Sequence, residues 1–470
     1  MIDDREVAFM PALELGGLLR KREVTSSELV EVYLRRIEAL NDRLGAYVTV
    51  AADVAGVQAE VADAALQAVE DLPPLFGVPI SIKDLADTAG IRTTHGTAEW
   101  HDRVPDRDDA VVARIKRAGM PLLGKTIVPE FGPLSISEPP GYPPGRNPWD
   151  PTRSAGGSSG GAAASVVAGL CPLAHGSDGG GSIRNPSAWC GVFGLKPSRG
   201  RVSAAPEPQR FFSIDGPIAR TVADASALLD VMAGYETGDA YWAPPADHPF
   251  LQDAQTEPPP LRIAYHPHPG VQASAVEPAH LRAAEEAAEL LGELGHRVEL
   301  VEPPIFGPDD LMAAATAFAV DHASRAAERP PPETLDPWTR TLMEMGTGIP
   351  GTIYVQAMRS LQTASRKALA FFGDFDLLVT PTVAQAPPPV GSLEGVGVED
   401  MAAIFAMTPF TSMWNTTGQP AASLPVGLDE NGLPVGVQLV AGPAAESTLI
   451  QVCAQLESAR PWAERRPPVS

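Results

Sequence analysis

An α/β layer fold with a mostly parallel or mixed sheet is predicted from three observations. Short apolar runs of strand character alternate with helical periodicities along much of the chain. Residues 261–301 read as one strand–helix–strand unit, the connection that joins parallel neighbours. The 470 residues, 44% hydrophobic and 20% charged, have a globular composition and supply ample material for a large core.

The first element is a helix. Thr25-Ser-Ser-Glu28 forms a capping box, and Leu29, Val32, Tyr33, Ile37 and Leu40 then recur at helical spacing until Asn41-Asp42, where the helix is expected to stop. An alanine-rich helix is expected over 53–70. Residues 76–84, Phe-Gly-Val-Pro-Ile-Ser-Ile-Lys-Asp, read as a buried strand ending in charge. A helix over 109–118 closes at Gly119. A tightly packed helix over 162–169 precedes a short core strand over 170–175. The unit at 261–301 comprises strands at 261–265 and 296–301 around a helix at 277–294. Further helices are expected over 308–328 and 352–372, and further strands over 376–380 and 434–440. The 49 prolines cluster at 138–145, 329–333 and 386–391, which reads as rigid surface connection. No internal repeat is visible, and the region from about 234 to 338, bounded by proline-rich stretches, reads as an insertion or sub-domain.

Charge excludes several functions. Against 58 Asp and Glu stand 35 Lys and Arg, a formal net charge of -23, and only six of the basic residues are lysines. Such a surface repels phosphate backbones and anionic membranes. Acidic Asp3, Asp4 and Glu6 leave the N-terminus without the apolar core of a signal peptide, and no stretch has transmembrane hydrophobicity. Three cysteines without a CxxC pair suit neither a disulfide scaffold nor a zinc ribbon. A soluble cytoplasmic protein is expected.

Two motif matches need their context. Gly119-x4-Gly124-Lys125-Thr126 satisfies the P-loop expression, but a helix precedes it, Pro121-Leu-Leu123 fills it with bulk, and Pro129 breaks the helix that should come after it. It is rejected. Gly156-Gly-Ser158-Ser-Gly160 fits the nucleophile elbow of α/β-hydrolases, which would make Ser158 the nucleophile of an esterase. The approach, Asn147 to Arg153, is not a strand, so this stands as an alternative only.

Glycine density is more informative. Nine of the 43 glycines fall between Gly156 and Gly181, in two nests separated by an apolar run. Successive glycines let backbone N–H groups converge on one point, which makes an oxyanion site. Ser182 comes directly after Gly179, Gly180 and Gly181 and is placed to attack a carbonyl whose oxyanion those glycines hold. Its base is not a histidine: His175 reads as a core residue, and His95 and His101 around Glu99 show no metal spacing. Lys83, at the end of an apolar strand, is the candidate. A surface lysine bridged to Asp84 is the competing reading.

These residues resemble the amidase signature family. The resemblance rests on Gly156-Gly-Ser-Ser-Gly-Gly161, Gly176-Ser-Asp-Gly-Gly-Gly-Ser-Ile-Arg-Asn-Pro186 and Cys190-Gly-Val-Phe-Gly-Leu-Lys-Pro197. It extends to Gly77-Val-Pro-Ile-Ser-Ile-Lys-Asp84, Leu123-Gly-Lys-Thr126, Gly216-Pro-Ile-Ala-Arg220, Thr417-Gly-Gln-Pro-Ala421 and Leu433-Pro-Val-Gly-Val-Gln438, and weakens mainly between about 234 and 375. It implies a central mixed, twisted β-sheet covered by helices on both faces. The chain then divides into an N-terminal helical segment (1–70), a core with the site (71–235), a variable substrate-side region (236–375) and a C-terminal part of the core (376–470).

The resemblance implies a Ser–cis-Ser–Lys triad: Ser182 as nucleophile, Ser158 as bridging serine, Lys83 as ultimate base. Ser159, Asp178 and Arg184 support the glycine loop, with Asp178 and Arg184 pairing across it. A lysine has a reference pKa of about 10.4, so neutrality near pH 7 requires a depression of roughly three units, which burial favours. The family often has Thr where Gly179 stands, so this loop is expected to be roomier or more flexible. Substrates implied are small amides, hydrophobic or aryl, with esters and carbamates beside them, as in 6-aminohexanoate cyclic-dimer hydrolases, aryl acylamidases and carbamate-cleaving amidases. The glutamine-hydrolysing subunit of tRNA-dependent amidotransferases is the alternative within the family. Pocket candidates are Phe131, Ile136, Phe212, Ile214, Phe410 and Trp414, each of which reads equally well as core. Neither cofactor nor metal is expected. The expected partners are a small amide and water, with no nucleic acid and no membrane; oligomeric state is open, a homodimer being one option.

Overall fold

The computed structural model describes residues 4–69, 71–207, 211–269, 275–395 and 401–470. Its strands are β1 (Tyr47–Val50), β2 (Ile80–Lys83), β3 (Leu122–Thr126), β4 (Leu173–Asp178), β5 (Phe193–Lys196), β6 (Ile214–Ala219), β7 (Arg262–Tyr265), β8 (Arg297–Leu300), β9 (Leu377–Pro381), β10 (Ala421–Leu428) and β11 (Pro434–Ala441). They form one eleven-stranded sheet in the order β1-β3-β2-β4-β6-β5-β10-β11-β9-β7-β8. The sheet is mixed. β2 runs parallel to β3 and β4, and β7 parallel to β8 and β9, while the remaining pairs are antiparallel. Every residue of β2, β3, β9 and β11 is buried, so both faces of the sheet are covered there. At the edges, β1 and β8 are partly exposed. No helix among the described residues is long and apolar enough to cross a membrane.

The capping box forms as read: Thr25 Oγ1 accepts from Glu28 N–H at 3.1 Å, and Thr25 N–H donates to Glu28 Oε2 at 2.8 Å. Its helix, Ser26–Leu44, runs past Asn41-Asp42 and stops at Gly45, whose φ of +58° suits a left-handed cap. Asn41 holds the next strand instead, exchanging hydrogen bonds with the Tyr47 backbone at 2.8 and 3.1 Å. The alanine-rich helix spans Ala52–Ala68; its expected end at residue 70 lies outside the described residues. The would-be P-loop contains β3, with Lys125 inside a buried strand. The core strand expected at 170–175 begins three residues later, at Leu173, and therefore ends on Asp178. The strand–helix–strand unit is β7, Pro278–Glu293 and β8, and it extends the same sheet through β9.

Five strands, β1, β3, β5, β6 and β10, have no counterpart in the sequence reading. β5 and β6 contain Gly or Gly-Pro, and β10 contains Pro425 at a shift of register, so local chemistry marks them as turns.

The helix Glu446–Ala459 holds Glu457, half-buried, against the start of the helix Val222–Met232, where Glu457 Oε2 accepts from Val222 N–H at 3.0 Å. Burial, with the nearby Asp224 carboxylate, pushes Glu457 from 4.5 to about 7. Between those values the folded chain holds a proton that the unfolded chain has lost, so this group's contribution to stability falls as pH rises. Glu457→Gln keeps the acceptor and cannot ionise. Its unfolding free energy should match wild type near pH 4 and exceed it at pH 8, on the order of 2–3 kcal/mol. Parallel stability–pH curves for the two proteins would remove the buried charge from the account.

Candidate active site

β2 carries Lys83 into the interior, fully buried, with Nζ 2.8 Å from Ser158 Oγ and donating to Ser177 O at 2.9 Å. The reading of a surface lysine bridged to Asp84 is thereby overturned, since Asp84 is also buried and accepts from Thr94 N–H and Oγ1–H. Ser158 comes after a cis Gly157–Ser158 peptide and lies two residues before the helix Gly160–Val167. No strand among the described residues runs between β3 and that helix, so Ser158 lacks the strand-to-helix setting of a nucleophile elbow.

The two glycine nests are tied together. Ser159 N–H donates to Ser182 O at 3.1 Å, and Ser159 Oγ donates to Ser177 O at 3.1 Å. Ser137 secures the first nest, donating to Ser158 O at 3.3 Å and accepting from Gly160 N–H at 3.1 Å. Ser182 itself is partly exposed, whereas Lys83 and Ser158 are buried. The arrangement is a partly exposed serine tied through the Ser159 backbone to an interior serine–lysine pair.

Asp178, at the end of β4, organises the second nest. Its carboxylate accepts from Gly181 N–H (2.7 Å), Ile183 N–H (3.1 Å), Arg184 Nε and Nη2 (2.9 Å each) and Asn415 Nδ2 (2.9 Å). Burial alone would raise its pKa, but the Arg184 guanidinium and these donors hold it well below the usual carboxylate range. Arg184, fully buried, also donates to Thr411 O, Gln438 Oε1 and Asn415 Oδ1. The expected pairing across the loop is present.

One expectation changes. Gly181 N–H is committed to Asp178, so it is not available to an oxyanion. The N–H groups of Gly179, Gly180 and Ser182 donate to no group among the described residues. Gly180 O is fixed by the Thr411 hydroxyl at 2.7 Å.

The pocket candidates separate. Phe131, with φ +54°, stands edge-on to Trp100, and its neighbour Gly132 is close to Ser158: a methyl there would lie 3.6 Å from Ser158 Oγ. Ile136 is buried with its main chain against Gly157, and Ile214 is buried where β6 pairs with Asp178. Phe212 is buried against Phe211 and Phe318, and its carbonyl accepts from Asn415. Phe410 and Trp414 line a half-open cavity of about 40 Å³. His175 is a buried strand residue paired with Asp215 at 3.1 Å. Among the described residues no group of three or more His, Cys, Asp or Glu is placed to hold a metal ion. Sequence reasoning missed Ser137, Thr411 and Asn415, and it quoted Gln438 only within a motif.

The mixed sheet and the buried lysine–serine contact beside the glycine loop are shared with a family of amide-cleaving hydrolases. The chain belongs to the amidase signature family: the Amidase family model matches residues 28–450. It is 40% identical over 474 residues to a Mycobacterium tuberculosis protein named AmiB2, covering 100% of both chains. The solved structure of 6-aminohexanoate cyclic dimer hydrolase complexed with substrate superposes with a TM-score of 0.93 at 33% identity, covering 98% of this chain and 99% of that one. A bacterial aryl acylamidase of the same family gives 0.86 at 28% identity, covering 97% of each. The protein is thus an enzyme of the amidohydrolase class, acting on amide carbon–nitrogen bonds.

The two ends of the glycine loop differ in tolerance. At Gly181, φ is +127° and a Cβ would come 2.3 Å from Thr411 Oγ1 and 2.4 Å from Asn185 Nδ2; at Gly179 a Cβ would meet nothing within 4 Å. Gly179→Thr should therefore fold with an unchanged melting temperature. Gly181→Ala should displace the segment bearing Ser182 and lower kcat/KM by about 100-fold. Equal kcat/KM for Gly181→Ala and wild type would show that the contacts around this position do not set the loop.

Proposed function

We propose that the enzyme is a serine amidohydrolase using Ser182, Ser158 and Lys83 on small amides, with hydrophobic or aryl groups preferred and esters and carbamates also accepted. The observation that carries this reading is the buried 2.8 Å contact between Lys83 Nζ and Ser158 Oγ, joined to Ser182 through Ser159. In the working state Lys83 is a neutral amine. It keeps an N–H for Ser177 O and turns its lone pair to the Ser158 hydroxyl. As Ser182 Oγ attacks the substrate carbonyl, its proton passes to Ser158 and that of Ser158 to Lys83. The N–H groups of Gly179, Gly180 and Ser182 receive the oxyanion.

Collapse of the tetrahedral intermediate breaks the C–N bond. The proton returns from Lys83 through Ser158 to the leaving nitrogen, and the amine departs. Water then attacks the acyl-serine, giving up a proton along the same relay; that proton returns to Ser182 Oγ as the acid leaves. The substrate class is supported by the relatives' names and by the aromatic cavity at Phe410 and Trp414. The cysteines are buried and free, which suits a reducing compartment, and we place the enzyme in the cytoplasm.

Ser182→Ala should abolish hydrolysis of nitroanilides and covalent labelling by a fluorophosphonate. Labelling that survives in this variant and depends on Ser158 would transfer the nucleophile there. Lys83→Ala should retain wild-type circular dichroism and lose about 10²–10⁴ in kcat; near-wild-type turnover would remove Lys83 as the base. Hydrolysis of glutamine only, or only with a partner protein, would move the chain to the amidotransferase subunits.

A further inference from the structure

Four trans peptide groups link Asp178 to Ser182, and the N–H groups assigned to the oxyanion belong to three of them. In a trans peptide C=O and N–H point in opposite directions, so a partner that holds one sets the direction of the other. Asp178 O accepts from Asn415 Nδ2 at 2.7 Å, which directs Gly179 N–H. Gly181 O accepts from Asn185 N–H at 2.7 Å, which directs Ser182 N–H. The Gly180–Gly181 peptide is held at both ends: Gly181 N–H donates to Asp178 Oδ1 and the Thr411 hydroxyl donates to Gly180 O, each at 2.7 Å. The Gly179–Gly180 peptide, which supplies Gly180 N–H, has no hydrogen-bond partner among the described residues. Two consecutive glycines leave it wide conformational freedom, so its direction is set by the planes on either side.

Thr411 secures one of those planes from a fixed base. It is fully buried, and its own carbonyl accepts from Arg184 Nη1 at 2.9 Å, so the hydroxyl projects from a segment tied to the guanidinium that also holds Asp178. Its single proton goes to Gly180 O, since the other acceptor in range, Thr408 O, is at 3.4 Å. A hydrogen bond at Gly181 N–H alone would let the plane pivot about that contact; a second at the opposite oxygen removes the freedom. Gly181 makes room for it, because a Cβ there would come 2.3 Å from Thr411 Oγ1. Asn415 holds the other plane, but it also serves Arg184 and Phe212 O, so removing it would disturb the ion pair too.

We propose that Thr411 is a positioning residue for the amide-cleaving reaction: by fixing the Gly180–Gly181 plane, its hydroxyl aims the otherwise unheld Gly180 N–H at the oxyanion. The inference rests on the amidase reading, which puts the attacked carbonyl at Ser182. Negative charge builds on that oxygen only as Ser182 Oγ attacks, so a misdirected N–H weakens the transition state more than the bound amide. Thr411 has no place in the proton relay. Its hydroxyl therefore governs kcat and the capture of tetrahedral adducts, and leaves KM almost untouched.

The test compares Thr411→Val, which keeps the shape and loses the donor, with Thr411→Ser, which keeps the donor. Each is assayed for nitroanilide turnover, for the second-order rate of fluorophosphonate labelling at Ser182, and, on the Ser182→Ala background, for affinity toward an uncleaved anilide. Thr411→Val should lose about 10- to 100-fold in kcat and a similar factor in labelling rate, while KM and anilide affinity stay within about threefold of wild type. Thr411→Ser should recover most of both losses. Thr411→Ala, which cannot clash, carries the same comparison if Thr411→Val does not fold. Equal losses in Thr411→Val and Thr411→Ser would assign the effect to packing, and equal losses of turnover and anilide affinity to a general disturbance of the site. Either result overturns the proposal, as does an unchanged kcat. An unaltered chain that cleaves no amide and takes no label at Ser182 would instead sink the amidase reading itself, an outcome visible before any variant is compared.

Discussion

The site depends on a fully buried ion pair. Asp178 and Arg184 are both fully buried, and desolvating two charges is repaid only when geometry and hydrogen bonds are nearly complete. Here they are. The guanidinium uses Nε, Nη1 and Nη2 on Asp178, Thr411, Asn415 and Gln438, and the carboxylate collects donors from Gly181, Ile183, Arg184 and Asn415. Its worth lies in direction more than in stability. Three separate pieces of chain (the run from the end of β4 through the glycine loop into the helix Arg184–Cys190, the 411–415 segment and β11) meet at one planar fork. Losing either charge would strand the other in the core, at about 3–5 kcal/mol.

The same logic governs the lysines. Of six in the chain, Lys83, Lys125 and Lys196 are fully buried, so the net charge of -23 is a property of a surface that carries few lysines. Lys125 is lowered to about 8 by burial, opposed by Asp84, and donates to Ala86 O, Thr88 and Thr93. It braces the chain just after Lys83. Lys196, pushed well below its ordinary value by burial, donates to Gln419 O and Pro197 O where β5 meets β10. Two of the three buried lysines are thus structural clamps, and none of the three counts toward the protein's outer charge.

What could be read from sequence was whatever chemistry is local. The capping box at Thr25, the strand–helix–strand unit and the glycine nests around Ser158 and Ser182 all declare themselves within a few residues, and each was realised. Strands that contain Gly or Pro, such as β6 and β10, were hidden because their pairing is set by neighbours in the sheet and not by their own propensity. Asn415 and Gln438 were hidden for a related reason: they reach Arg184 from 231 and 254 positions away, and no spacing rule links them. Gly181 shows the limit from the other side. Its residue type is right for an oxyanion loop, but the fate of one N–H depends on a carboxylate three residues earlier that is itself oriented by the far half of the chain.

The lysine–serine site and the aromatic cavity are built from different parts of the molecule. Lys83, Ser158 and Ser182 come from the first half of the chain and rest on the main core, which continues through β2, β3 and β4. The cavity at Phe410 and Trp414 is lined by residues just after β7, by Leu378 and Thr380 of β9 and by the 409–414 segment, beside a separate hydrophobic cluster that includes Phe212, Phe306 and Trp414. Segment 409–415 is the joint between them, since Thr411 and Asn415 fasten to the glycine loop while Phe410 and Trp414 face the cavity. Thr411 and Asn415 position Gly180 and Asp178 directly, and Thr380 of the cavity wall accepts from Gln438, which in turn accepts from Arg184. The lysine–serine site is therefore constrained by hydrogen bonds that span the chain, and the 409–415 segment couples it to the second hydrophobic cluster.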